Sequence, residues 1–148
     1  MLRRLTASSP SWVTLPLRLS LGVIFVAHGA QKVFGMFNGP GWARWTSMTE
    51  MAPFPFMRPT WLWLGAAALG ELVGGALLLL GLLTRVGAFL IVCVMLTAII
   101  GKLWPAFFAP AGMELALACL GSALALLIAG GGQLSADRLI GGRRQSRF

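Results

Sequence analysis

The stretch Trp61-Leu-Trp-Leu-Gly-Ala-Ala-Ala-Leu-Gly70-Glu71-Leu-Val-Gly-Gly75-Ala-Leu-Leu-Leu-Leu-Gly-Leu-Leu83 decides the fold. It is apolar apart from one carboxylate, Glu71, and it exceeds the roughly 20 residues a helix needs to cross the hydrocarbon core of a bilayer. A charge near the bilayer centre is unfavourable by at least about 2.5 kcal/mol even on insertion-based scales, so it normally faces a partner or a polar cavity within the protein. Glu71 therefore predicts a second polar group at its own depth. Beside it, Gly70 and Gly74 stand at small-xxx-small spacing and Gly75 follows, which lets a neighbouring helix backbone approach closely. The packing face and the buried charge are expected on the same turns.

The rest of the chain agrees with a membrane helix. Of the 148 residues, 57% are hydrophobic and 11% charged, and the mean hydropathy is +0.82. That is too apolar for a soluble domain, and one all-α, four-transmembrane-helix domain over residues 1–148 is expected. The formal net charge of +8 is spread over helix ends rather than one face, which points to membrane orientation and away from nucleic acid. Cys93 and Cys119 are far apart and form no CxxC pair, so both are read as small core hydrophobes rather than a zinc or disulfide framework. A single histidine excludes bis-His haem within one chain, and no phosphate loop, GxSxG elbow or HExxH motif is present. No haem or metal is expected, and no redox centre belonging to the chain itself.

Outward from the deciding stretch, spans are predicted at about 17–37, 61–83, 86–103 and 113–129. The first is too long for a signal-peptide core and reads as a retained helix. Between it and the second span, Asn38-Gly-Pro-Gly41 and Pro53-Phe-Pro55 bracket Trp42-Ala-Arg-Trp45, which predicts a short amphipathic helix lying in the interface as a cap. Trp42, Trp45, Trp61, Trp63 and Trp104 form an aromatic belt at that end. The Thr84-Arg85 connection is so short that the third span must return antiparallel beside the second. Gly130-Gly-Gly132 ends the fourth, and residues 130–148 are expected as a polar tail. Arg3, Arg4, Arg18, Arg85, Arg138, Arg143, Arg144 and Arg147 lie on one side, against Lys32, Arg44, Arg58 and Lys102 on the other. The excess predicts both termini in the cytoplasm and the cap in the periplasm of a bacterial inner membrane. No internal repeat supports an inverted-repeat transporter.

Val26-Ala-His28-Gly-Ala-Gln31-Lys32 places His28, Gln31 and Lys32 at i, i+3 and i+4. At about 1.5 Å per residue, His28 lies roughly 16 Å above the inner end of the first span and Glu71 roughly 15 Å below the outer end of the second, the same depth in a core of about 30 Å. Lys32 is a turn further out, and Lys102 and Glu114 fall near the outer ends of their spans. The inner half reads as almost purely apolar, which suggests a cavity opening outward or laterally. Two readings follow: Glu71 pairs with His28 or Lys32 to fix helix register, or these groups form a ligand or proton site. In the second, Glu71 and His28 exchange protons and Gln31, Lys32, Lys102 and Glu114 bind ligand. Snorkelling or helix-dipole complementarity explains Lys102 and Glu114 equally well.

The set Leu17-Arg-Leu-Ser-Leu-Gly-Val-Ile-Phe25, His28-Gly29, Gln31-Lys32, Phe34-Gly35, Gly70-Glu71-Leu-Val-Gly-Gly75 and Gly81-Leu-Leu-Thr-Arg85 resembles the DoxX family of small membrane proteins. The likeness continues through Met95-Leu-Thr-Ala, Glu114 and Gly132-Gln-Leu-Ser135-Ala-Asp137. The resemblance implies a four-helix bacterial membrane protein, in a family linked to quinone-coupled sulfur oxidation and to complexes handling thiol or oxidative stress. His28, Gln31, Lys32 and Glu71 match the family's polar set, whereas the cysteines of some thiol-linked relatives are absent. The expected function is a quinone-interacting subunit of a membrane oxidoreductase; the alternative is a non-catalytic anchor or assembly subunit, with a small transporter third. Membrane lipid and a homodimer or other protein subunits are the expected partners.

Overall fold

The structure, a computed structural model, describes residues 11–142 apart from 109 and 111. Its helices are α1 (Thr14–Phe34), α2 (Gly41–Ser47), α3 (Thr60–Leu80), α4 (Thr84–Ala98), α5 (Glu114–Ala129) and α6 (Ala136–Gly142). A 3-10 turn covers Thr49–Met51, and α4 continues as a π-helical turn over Ile99–Leu103. No strand occurs among the described residues. Helices α1, α3, α4 with its π-helical turn, and α5 cover the four apolar runs of the sequence. The structure has two helices long and apolar enough to cross a membrane, α3 and the continuous Thr84–Leu103. A third is reached if α1 is counted with the Met36–Ser47 segment, from which it turns by 92°. The apolar α5 is shorter, at 16 residues.

The four long helices close a ring: α1 packs on α3, α3 on α4, α4 on α5, and α5 on α1. Glycines set the register. A Cβ on Gly29 would stand 2.6 Å from the Leu72 backbone, and one on Gly75 would stand 2.7 Å from the Val26 nitrogen. Residue 29 thus meets 72 and residue 26 meets 75, an antiparallel contact of two backbones. On the adjoining face of α3, Gly74 lies against Ile91 and the Gly87 carbonyl of α4. Gly74 and Gly75 thus face different neighbours, α4 and α1. Gly70 makes only ordinary contact, with Val94. Leu21, Phe25, Leu78, Ile91, Leu120 and Leu126 fill the ring's centre. Backbone cannot yield to an added methyl as a flexible side chain does, so Gly29→Ala and Gly75→Ala should each destabilise the bundle by about 1–3 kcal/mol. Gly121, with nothing within 4 Å of its would-be Cβ, should gain up to about 1 kcal/mol on the same change through helix propensity. Thermal melts in detergent check both signs.

Gly81 ends α3 in the left-handed region, with the Leu82 amide donating to the Leu77 carbonyl and the Gly81 amide to that of Leu78. This is the six-residue C-terminal motif that glycine permits. Leu83 is left-handed as well (φ 46°), so the chain reverses within three residues, as the short connection requires.

Two expectations fail at this end of the bundle. The inner half is not purely apolar: Arg18, Thr84, Ser135 and Asp137 are all buried there. Nor are residues 130–142 a free tail. The Arg18 Nε donates to the Leu78 carbonyl (3.0 Å), Nη1 to those of Gly131 and Leu134 (2.7 Å each), and Nη2 to that of Leu79 (3.3 Å). The Asp137 carboxylate accepts the amides of Leu83 (2.7 Å) and Thr84 (2.8 Å) at the start of α4, which capping favours. Thr14 donates to the Gly131 carbonyl, and Arg85 to those of Leu127 and Ile128. A buried polar group favours partners; for Arg18 the end of α3 and the chain after α5 supply them, whereas the buried Thr84 hydroxyl has none among the described residues. Arg3, Arg4, Arg143, Arg144 and Arg147 of the charge count lie outside the described residues.

Candidate functional site

Glu71 is buried at the middle of α3, and Lys32 of α1 forms an ion pair and hydrogen bond with its Oε2. The side chains are 6% and 17% exposed, so the carboxylate is enclosed while the lysine side chain is partly exposed. The register explains the choice of partner. Gly29 faces α3; at about 100° per residue Lys32 is roughly 60° from it, close enough for a long side chain to reach Glu71. His28 is rotated roughly 100° away and is exposed. The depth match between His28 and Glu71 therefore does not produce a contact, and the pair forms one turn further out.

Above the pair lies α2. The Trp45 ring sits 4.8 Å from the Lys32 ammonium, a cation–π contact, and its indole N–H donates to the Leu64 carbonyl at 2.8 Å. Trp42 packs over Gly65, where a Cβ would come within 2.9 Å of the ring. Trp45 is thus a member of the site and not only of the belt. The belt reading fits exposed Trp61, Trp63 and Trp104.

Other anticipated members are dispersed. Gln31 is half-buried beneath the turn, its backbone covered by Gly39. Lys102, in the π-helical turn of α4, donates instead to the Glu50 carbonyl at 2.7 Å and ties the cap to the far side of the ring. Glu114 is half-buried in the first turn of α5. Cys93 is exposed, against expectation, while Cys119 is buried. A shallow groove of about 600 Å³ lies on the cap, lined by Thr46, Thr49, Arg58, Pro59, Thr60 and Trp61. It includes none of the anticipated site residues.

What the centre offers chemically is one enclosed carboxylate, one cation on a partly exposed side chain, an aromatic roof and a histidine on the adjoining outward face. An ammonium and an imidazole can donate hydrogen bonds, and a carboxylate can take up a proton. No curated protein and no solved structure matches the chain. The DoxX family model matches residues 13–108, which is 96 of 148 residues and takes in α1 to the end of the α4 span, but neither α5 nor the closing segment that carries Asp137. The chain, an integral membrane protein, therefore belongs to the DoxX family.

Proposed function

We propose that this DoxX protein is a four-span subunit of an inner-membrane oxidoreductase, with both termini cytoplasmic, and that it interacts with quinone at Lys32, Glu71 and His28. The supporting observation is the buried Lys32–Glu71 pair roofed by Trp45, with exposed His28 one turn along α1. Quinone supplies a carrier that takes up electrons together with protons, the electrons coming from a partner chain or soluble donor. The chain's own residues do the rest. Lys32 and His28, four residues apart and so neighbours on the helix surface, donate hydrogen bonds to headgroup carbonyls from the membrane-facing side. Glu71 neutralises Lys32 between turnovers and exchanges protons with it. Trp45 holds the ammonium in place and keeps bulk water off the pair.

An assembly role is the second reading, favoured by the internal satisfaction of the pair and by the tying of the cap through Trp45 and Lys102. Quinone extracted with the purified protein separates the two. Retention by wild type and loss in Glu71→Gln and His28→Ala, with the helical fold intact, supports the quinone site. Equal retention in the variants, or none in wild type, leaves the assembly subunit.

A further inference from the structure

Among the described residues, the cap groove brings together one cation, three hydroxyl side chains and an exposed tryptophan, with no carboxylate in its wall. It is assembled from three neighbouring elements of the connection between α1 and α3: Thr46 at the end of α2, Thr49 in the 3-10 turn, and Arg58 through Trp61 at the entry to α3. Arg58 is exposed, and among the described residues no hydrogen bond or ion pair engages its guanidinium. The Thr46 hydroxyl is committed to the Trp42 carbonyl, and an uncompensated arginine beside the Thr49 and Thr60 hydroxyls favours a planar or tetrahedral oxyanion, which it grips through paired N–H groups. The location selects the source of that anion. Thr60 and Trp61 open the longest apolar helix, so the groove lies at headgroup depth, where tryptophan rings settle. Being shallow and open, it suits a group that remains attached to a lipid rather than an enclosed metabolite.

We propose that the Thr46–Thr49–Arg58–Thr60 groove binds the phosphate of an anionic phospholipid headgroup, with Trp61 against the glycerol and upper acyl region. The site is separate from the Lys32–Glu71 pair and does not depend on the quinone reading. A bound lipid would fix the α2 cap relative to the start of α3, since the groove spans both.

Native mass spectrometry of the protein taken from nanodiscs of phosphatidylcholine with phosphatidylglycerol tests it. Wild type should retain phosphatidylglycerol in preference to phosphatidylcholine. Arg58→Gln should lower that retention about fivefold, the scale of one basic contact at an anionic surface. Thr60→Val should lower it in the same direction and serves if Arg58→Gln fails to fold. Arg44→Gln, which removes an exposed arginine of the same cap outside the groove, should leave retention unchanged. Equal loss in the Arg58 and Arg44 variants would mean diffuse attraction and overturn the site, as would no loss in either. A parallel titration with inorganic phosphate separates the sources: Arg58-dependent phosphate binding without lipid retention overturns the lipid assignment.

Discussion

Arg18→Met should be the most damaging single substitution in the described chain, lowering stability by about 3–5 kcal/mol, because it strips four backbone carbonyls of a charged donor in a buried setting. Two of those carbonyls close α3 and two lie in the segment after α5, so the guanidinium joins three parts of the chain at one point. Arg18→Lys should rescue little. An ammonium offers a compact set of donors on a flexible stem and cannot span the arrangement that a planar fork does. Asp137→Ala should be milder, about 1–2 kcal/mol, since the chief loss is the cap on α4 and the Arg18 guanidinium keeps its carbonyl partners. Denaturant or thermal unfolding in detergent, scored by helical circular dichroism, ranks the three; an Arg18→Met protein as stable as wild type would overturn the reading of this end as a structural clamp.

Removing one partner of the Lys32–Glu71 pair should cost about 3–5 kcal/mol, because the remaining charge is left without a counter-ion. The two single variants are not equivalent. After Glu71→Leu the lysine can snorkel toward the cap end, its side chain being already partly exposed, whereas after Lys32→Met the carboxylate stays enclosed. Lys32→Met should therefore be the worse of the two. The double variant Lys32→Met/Glu71→Leu replaces the pair by apolar groups and should recover to within about 1 kcal/mol of wild type or exceed it. A double-mutant cycle on thermal stability measures this directly. Additive losses would mean that the two residues do not form a pair in the membrane.

Much of the fold was legible because apolar run length and turn residues are local signals. The deciding stretch became α3, the two-residue connection became the antiparallel return, and Trp42-Ala-Arg-Trp45 became the capping helix. Depth, which depends only on rise per residue, matched His28 with Glu71, while Lys32 entered through its i+4 spacing from His28 and stood a turn further out. Rotation about the helix axis was not available from depth, and that is why His28 fell outside the contact. The rotation is set by Gly22 and Gly29 on α1, whose close fit to α3 only the packed structure reveals. The Arg18 clamp escaped because a charge count treats every basic residue near a helix end as membrane-flanking. Two of its carbonyl partners lie 60 and 61 residues away in sequence and the other two 113 and 116. One signal was present: Arg18 stands inside an apolar run, and the only aspartate of the chain, Asp137, sits in the closing motif. Trp45 was hidden by the plausibility of the aromatic belt.

The charge-free double variant Lys32→Met/Glu71→Leu also offers the most direct measurement of the central claim, that the pair is a quinone-interacting site and not helix glue alone. It separates folding from chemistry, which the single variants do not. Titration of purified wild-type and double-variant protein with a short-chain ubiquinone should give saturable binding to wild type. The account predicts a folded double variant whose affinity is weakened at least about tenfold, the loss of roughly one charge-assisted hydrogen bond. A folded double variant that binds the quinone as wild type does would contradict it.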